Sequence, residues 1–424
     1  MRTLLILCAA ALSAATTFHR DIAPILQKRC QGCHRPGEIG PMPLVTYQQV
    51  RPWAKAIRKA VVSRTMPPWF ADPKVGHFRN DSSLSAAEVA TVRDWADQGA
   101  AEGDPKQAPP AMTWVDGWTI GQPDVVFEMP KTYTVPTGGT IEYTDMIIPT
   151  GFTEDKWVER IEIRPGNRAV VHHVSIYVRE PGVQWLRRYP MGEYFVQDGR
   201  GHLGRETRPW ETRMSGYAPG APPEQLPRGY ARLFKANSDL VVEFHYTPNG
   251  KSAEDRTRIG MVFAKTPPGR RVLTLNARNV DFRIPPGAAN HAVDGAITLY
   301  QPSELTLLYP HMHVRGKAME IRAVYPAGER EVLLNVPRYD FNWQIRYEPS
   351  ERKLFPKGTR VEATGVFDNS ANNRFNPDPG KEVRWGDQSW EEMMVGFFEV
   401  AIDAKMDPQQ LLIKPGEVAT KYQN

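Results

Sequence analysis

Two thiols and an imidazole stand together in RCQGCHRPG, the C-x-x-C-H spacing of Cys30, Cys33 and His34. Thiols at this spacing add to the two vinyl groups of a haem while the adjacent imidazole reaches its iron. A redox dithiol would open a helix after a strand, and no strand precedes the pair. A zinc site would need further cysteines, and none follow Cys33. The expected cofactor is therefore one c-type haem, covalent at Cys30 and Cys33, with His34 axial. For the opposite axial position RTMPPWF offers Met66, held on a loop stiffened by Pro67 and Pro68. Met42 in GPMPL and His77 compete with it. His/Met ligation raises the reduction potential and suits electron transfer.

Three more histidine segments lie downstream. YPHMHVRG carries His311 and His313, which point to one face if the run is a strand. Such a pair either bites one ion or lines a wet face. AVVHHVSIYV carries His172 and His173, which point to opposite faces of a regular strand. They share a metal only if the strand bulges or ends there, or if the rings use different nitrogens. One buried and one exposed ring is the alternative. DLVVEFHYTPNG adds His245. His19, His202 and His291 read as surface or internally satisfied histidines.

The elements that must carry these residues differ along the chain. MRTLLILCAAALSAA has one Arg, an apolar run too short to span a bilayer and small residues near Ala15, the pattern of a signal peptide over 1–15. An exported protein, periplasmic or extracellular, is expected. A lipoprotein role for Cys8 fits poorly, and an uncleaved anchor is the alternative. Residues 16–104 read as helical: LSAAEVATVRDWADQG has a Ser85/Glu88 capping box, a Val89–Val92–Trp95 stripe and a Gly99 stop. GDPKQAPPAM is a Pro-rich linker, placed at 105–113. From Trp114 onward, short alternating runs such as LVVEFHYT, ELTLLYPHMHV and RVEATGVFD are separated by Pro, Gly and Asn, the texture of antiparallel β-sandwiches. A break near AKTPPGRR divides them into 114–268 and 269–424. The expected fold is multidomain: a small all-α cytochrome c domain followed by two antiparallel, jelly-roll-like β-sandwich domains.

Composition narrows the function. Net charge is +5 with no basic cluster, so no nucleic-acid footprint is present. No second apolar stretch could cross a membrane. Beyond Cys8 only Cys30 and Cys33 remain, which excludes a disulfide framework and a blue-copper centre, whose metal needs a thiolate. No Ser/His/Asp set, P-loop or dinucleotide fingerprint is present.

Taken in order, HH in one strand, V-x-F-H-Y in a second, H-x-H in a third and then SWEEMMVGFF resemble the copper type II, ascorbate-dependent monooxygenases, the family of peptidylglycine α-hydroxylating monooxygenase and dopamine β-monooxygenase. The resemblance covers roughly residues 114 to 410. It implies two copper ions: an electron-transfer copper on His172, His173 and His245, and an oxygen-binding, catalytic copper on His311, His313 and Met393, Glu392-Met393 matching the family's Glu-Met. Imidazoles suit both copper oxidation states, and a thioether favours Cu(I). In the family the coppers lie far apart across a solvent-filled cleft, and dioxygen hydroxylates a substrate C–H bond.

Three departures matter. The disulfides of the animal enzymes cannot form here. The carboxylate-reading Arg, Asn and Tyr of peptide-hydroxylating members are replaced by Tyr309, Val395 and Phe397, which predicts a more apolar substrate pocket and a substrate other than peptidylglycine. Finally, the haem motif suggests electrons through or alongside iron, with ascorbate as the family's usual reductant and a redox partner protein at the haem. A small-molecule substrate and dioxygen are the expected ligands. The competing reading is an electron-transfer or copper-binding protein on the same scaffold without hydroxylase activity. YDFNWQ, with Phe341 and Trp343, reads as packing.

Overall fold

The computed structural model describes residues 15–197, 213–414 and 416. The signal segment expected over 1–15 lies outside them apart from Ala15, as do Cys8 and His202. The chain forms two compact units, one of residues 1–69 and 82–114, the other of residues 70–81 and 115–424.

In the first unit the helices are α1 (Ala23–Arg29), α2 (Tyr47–Val50), α3 (Ala54–Val62) and α4 (Ala86–Asp97). α4 starts where the Ser85 hydroxyl accepts the Glu88 N–H and the Glu88 carboxylate accepts the Ser85 N–H, and it stops before Gly99 at φ 96°. Phe18, Leu26, Val50, Ile57, Val92 and Trp95 form its core. The small all-α cytochrome c domain expected over 16–104 is corrected by this structure. The chain is mostly sheet, 35% strand against 12% helix, with no substantial all-α domain among the described residues; only the sandwich part of that expectation fits. The reason lies in the letters between the helices. Pro36, Gly37, Gly40, Pro41 and Pro43 fill one gap, and Pro67, Pro68, Pro73 and Gly76 the other, so the backbone cannot continue its i→i−4 ladder there. Segment 70–81 moreover belongs to the second unit.

The second unit is all short strands. The first half carries β1 (Val125–Glu128), β2 (Tyr133–Val135), β3 (Thr144–Pro149), β4 (Lys156–Arg164), β5 (Val171–Arg179), β6 (Tyr194–Phe195), β7 (Arg213–Tyr217), β8 (Glu224–Gln225), β9 (Tyr230–Phe234), β10 (Asp239–Tyr246), β11 (Ala253–Asp255) and β12 (Arg258–Phe263). The second half carries β13 (Arg270–Asn279), β14 (Arg283–Ile284), β15 (His291–Thr298), β16 (Ser303–His311), β17 (Gly316–Val324), β18 (Arg330–Val336), β19 (Lys353–Phe355), β20 (Arg360–Phe367), β21 (Val383–Arg384) and β22 (Met394–Asp403), before the last helix α5 (Gln409–Leu412).

A sheet ordered β6-β3-β10-β5-β7 packs against β1-β12-β4-β9, sharing a core of Met146, Val174, Ile176, Val242 and Phe244 with Ile161, Phe234 and Ile259. In the second half the sheet β15-β20-β17-β18 faces β13-β22-β16-β19. Strand β20 alternates exposed and buried positions along its length, as a sheet with one wet face must. The two layers approach closely at Gly396, where a Cβ would stand 2.6 Å from that of Ala363.

The break expected near AKTPPGRR is a seam. β9 and β13 pair in parallel through Arg270 with Tyr230 and Arg271 with Ala231, fusing both inner sheets into one nine-stranded sheet, with β8 added beside β4. Across it Arg232 of β9 donates Nε–H to Glu224 at 2.6 Å and Nη1–H to Thr274 at 3.2 Å, and its Nη2 lies 2.7 Å from Glu399 of β22. Burial works against the Arg232 charge, but Glu224 and then Glu399 outweigh it and hold its proton more tightly than usual. Replacing Arg232 with Leu leaves two buried carboxylates without their main cation. The expected loss is about 3–5 kcal/mol of stability, read from the shift of the denaturant midpoint; a loss below about 1 kcal/mol would show that the network is dispensable.

Candidate metal centres

The chemistry of the second unit begins with a bulge. His173 of β5 pairs with His245 of β10, the next pair is Val171 with Tyr246, and His172 is the extra residue between them. This irregularity brings neighbouring imidazoles together. The rings of His172, His173 and His245 lie with centroids 4.9–5.3 Å apart, and one nitrogen from each falls within 4.8 Å of the others. His172 Nδ1 and His173 Nδ1 are 3.1 Å apart. Tyr143 stacks on His245 at 4.6 Å.

The second group sits where β16 ends. His311 Nδ1 lies 2.9 Å from Gln344 Oε1, and His313 Nδ1 lies 3.2 Å from the Glu391 carbonyl. A carbonyl oxygen only accepts, so each Nδ1 carries the proton and each Nε2 keeps its lone pair. The Asn342 carbonyl likewise accepts from the His172 ring. Such partners fix the tautomer of a metal-binding histidine. The buried Glu392 carboxylate accepts the N–H of His313 at 2.8 Å and of Arg315 at 2.6 Å, pinning the turn that carries the H-x-H pair. Burial pushes this carboxyl up to about 8 in spite of those donors.

Strand register defines the face beside the H-x-H pair. His311 pairs with Val395 and Tyr309 with Phe397, so side chains of both pairs share a face. Met393 is half-buried and immediately precedes β22. Met394 is fully buried between the layers, against Gly295 and Gly365. Tyr309 stacks on Phe397 at 5.7 Å, and Phe397 lies 6.1 Å from His311.

The two histidine groups are neighbours. The ring of Phe341 stacks on His172 at 5.5 Å and meets His313 at 6.0 Å and His245 at 6.3 Å. The residue read from sequence as packing is packing, but against members of both groups, where the resemblance implies an open cleft. Burial lowers the proton affinity of all five rings, to about 4 for His172 and about 3 for His313, and well below the usual value for His173 and His245. For His173 the other four imidazoles add to the effect. All five are therefore neutral at pH 7, the form that binds metal. His245 Nδ1 and His313 Nε2 are buried with no hydrogen-bond partner. Orphaned lone pairs in a neutral imidazole cluster fit a cation that accepts nitrogen ligands.

In the first unit, Cys30 caps α1, and the N–H groups of Cys33 and His34 both return to the Cys30 carbonyl. Neither thiol is part of a disulfide, and burial, then Cys33, pushes the Cys30 thiol up to about 12. His34 Nδ1 lies 3.1 Å from the Met42 carbonyl, leaving Nε2 for a ligand. Gly40 is required here, since a Cβ would come 2.7 Å from His34 Nδ1. Met66 is half-buried on the irregular chain after α3. Met42 packs on the helical core, and His77 falls in the second unit with its carbonyl accepting from Ser350. His19 sits 3.4 Å from Glu102, and His291 opens β15.

Sequence reasoning missed Gln344, Glu392 as a clamp, the Asn342 carbonyl and Arg213. The Arg213 guanidinium of β7 lies 5.3 Å from the Tyr309 ring and 5.4 Å from that of Phe397. YDFNWQ was the available signal for Gln344; a backbone carbonyl leaves none.

No family model matches the chain, and no curated protein matches it. Among solved structures, it is similar to that of infectious bursal disease virus Gx strain, at 11% identity over 69% of this chain and 74% of that one, with a TM-score of 0.19. A second is PBCV-1 VP54 fitted into a reconstruction of the virophage Sputnik, at 7% identity over 70% and 99%, with a TM-score of 0.23. At such scores the likeness carries no argument. Among the described residues no helix is long and apolar enough to cross a membrane.

Two outcomes follow from the imidazoles. Unfolded histidines take up protons below about pH 6.5 while the buried ones resist to about 4 or lower, so the unfolded state binds more protons in that window. The metal-free protein should lose stability steadily from pH 6.5 to about 4, as a falling denaturant midpoint; a flat profile contradicts the burial. Substituting Gln344 with Leu removes the acceptor from His311 Nδ1. Copper affinity at the His311–His313 centre should drop about 10–100-fold in titrations, with the three-histidine centre unchanged.

Proposed function

We propose that this protein is a copper-dependent monooxygenase that hydroxylates a C–H bond of a small molecule with dioxygen, with electrons supplied through or alongside a c-type haem. The observation that carries the reading is the convergence of five neutral imidazoles, three buried and two half-buried, two with orphaned nitrogens, in one compact unit. His172, His173 and His245 would hold one copper; His311, His313 and Met393 the other. Bound copper would supply one-electron chemistry and dioxygen activation, the net reaction placing one oxygen atom in the C–H bond and reducing the other to water with two electrons and two protons.

The chain's own residues do the positioning. Gln344, the Glu391 carbonyl and the Asn342 carbonyl hold protons on the nitrogens that face away from metal. Glu392 fixes the turn after β16. Phe341, Tyr143, Tyr309 and Phe397 keep water from the rings, which strengthens electrostatics inside. Cys30, Cys33 and His34, its Nδ1 proton held by the Met42 carbonyl, would carry the haem, with Met66 the favoured opposite ligand.

Metal analysis with oxygen consumption tests the proposal. Two coppers and one iron per chain are expected, with oxygen uptake driven by a haem reductant or ascorbate. Replacing Met393 with Leu should cut uptake about 100-fold or more while the three-histidine copper stays bound. One copper or none, with no uptake over a screen of aromatic and aliphatic compounds, would leave the electron-transfer reading instead.

A further inference from the structure

Arg213 is the first residue of β7, half-buried, in the first sandwich. The rings beneath it, Tyr309 and Phe397, belong to β16 and β22 of the second. Two well-buried guanidinium groups of this unit are paired with carboxylates, Arg179 with Asp239 and Arg232 with Glu224 and Glu399, and a third, Arg315, bonds the Asn369 side chain and the Trp390 carbonyl. Arg213 has no carboxylate partner and donates to no acceptor among the described residues. Among the described residues its close partners are the two ring faces.

The niche is built for it. A Cβ at Gly216 in the same strand would stand 2.7 Å from Arg213 Nη2, so the bare backbone there makes room for the guanidinium. Stacking on aromatic rings satisfies the face of a guanidinium and leaves its N–H donors unused, and those donors match a carboxylate two at a time. Arg213 also lies near enough to His311 to add to the effects that hold that ring neutral. A cation thus stands over the face shared by His311, Tyr309, Val395 and Phe397. Sequence alone reads that pocket as more apolar, with no carboxylate clamp.

We propose that Arg213 is the anion-recognising residue of the substrate site, binding the carboxylate of a small apolar acid whose hydrocarbon part lies against Tyr309, Val395 and Phe397. The proposal rests on the monooxygenase reading for the reaction that follows, but the binding step needs no metal. An acid anchored from β7 would bridge the two sandwiches and place its carbon skeleton beside His311.

Calorimetric titration of the metal-free full chain with phenylacetate and with phenylacetamide separates charge recognition from apolar contact. Phenylacetate should bind at least about tenfold tighter than the amide. Arg213→Gln should erase that preference and Arg213→Lys keep part of it, both with the wild-type melting temperature within a few degrees. If Arg213→Gln fails to fold, Gly216→Ala, which crowds Nη2, should reduce the preference instead. Equal affinities, no detectable binding of either compound, or a preference that survives both Arg213→Gln and Gly216→Ala would overturn the proposal. Copper stoichiometry measured on the same preparations distinguishes the two readings: a carboxylate preference without copper binding leaves Arg213 assigned and removes the oxidase chemistry.

Discussion

The geometry of this molecule hangs on a narrow parallel seam. Two backbone pairs, Arg270 with Tyr230 and Arg271 with Ala231, are too few to fix one sandwich on another by themselves. The buried Arg232–Glu224–Glu399 network supplies the missing specificity: sliding or tilting the halves would strand charges in a dry interior, at a cost several times that of a lost hydrogen bond. Because β9 and β13 cannot slip, the bulge of β5 in one sandwich is held opposite the end of β16 in the other. Five imidazoles from three distant segments then meet around Phe341.

A single loop completes that meeting. Between β18 and β19 the chain supplies Tyr339, whose hydroxyl bonds both backbone groups of Met312, and then Phe341, Asn342 and Gln344. One loop therefore sets ring orientation in both histidine groups. Its flanks are held from outside by segment 70–81. Asp72 donates to the Asn335 carbonyl, Asn80 brackets Arg346 and Glu348, Arg79 pairs with Glu348 at 2.6 Å, and Phe78 meets Tyr347 edge-on. That segment follows Met66 in sequence and interrupts the unit carrying the haem motif. An error in either partner of this clasp would reach the imidazoles through Gln344 and Phe341.

What the letters disclosed and what they hid follows from range. The histidines were legible because an imidazole is chemically distinct wherever it stands; period-two alternation offered a bulge at His172 as one of several ways for neighbouring rings to meet, and the register shows that one. Met393 rather than Met394 came from the resemblance, and the burial of Met394 between the layers leaves it no role beside the histidines. Gln344 is 33 residues from His311, Arg213 is 96 from Tyr309, and the Asn342 and Glu391 partners are carbonyls present in every residue; none of these has a local pattern. The break read at AKTPPGRR came from its turn chemistry, while the parallel pairing of its two arginines across that point had no local pattern. The all-α expectation failed because helical punctuation around Ser85–Gly99 was extended over proline-dense stretches that cannot continue a helix.

The cluster is hard to understand as mere architecture. A buried polar atom without a partner costs about 1–3 kcal/mol, and His245 Nδ1 and His313 Nε2 are two such atoms in one pocket. Burial also makes every one of the five rings unwilling to charge, so none gains an ion pair in return. Leucine or phenylalanine would fill the same space with no penalty, as they do elsewhere in the core of this unit. A fold that gathers five neutral imidazoles, three of them buried, and sets three carbonyl acceptors on their tautomers and one buried carboxyl on the turn that carries two of them leaves nitrogen lone pairs that suit something other than protein. Among common partners, a cation taking nitrogen ligands meets that description.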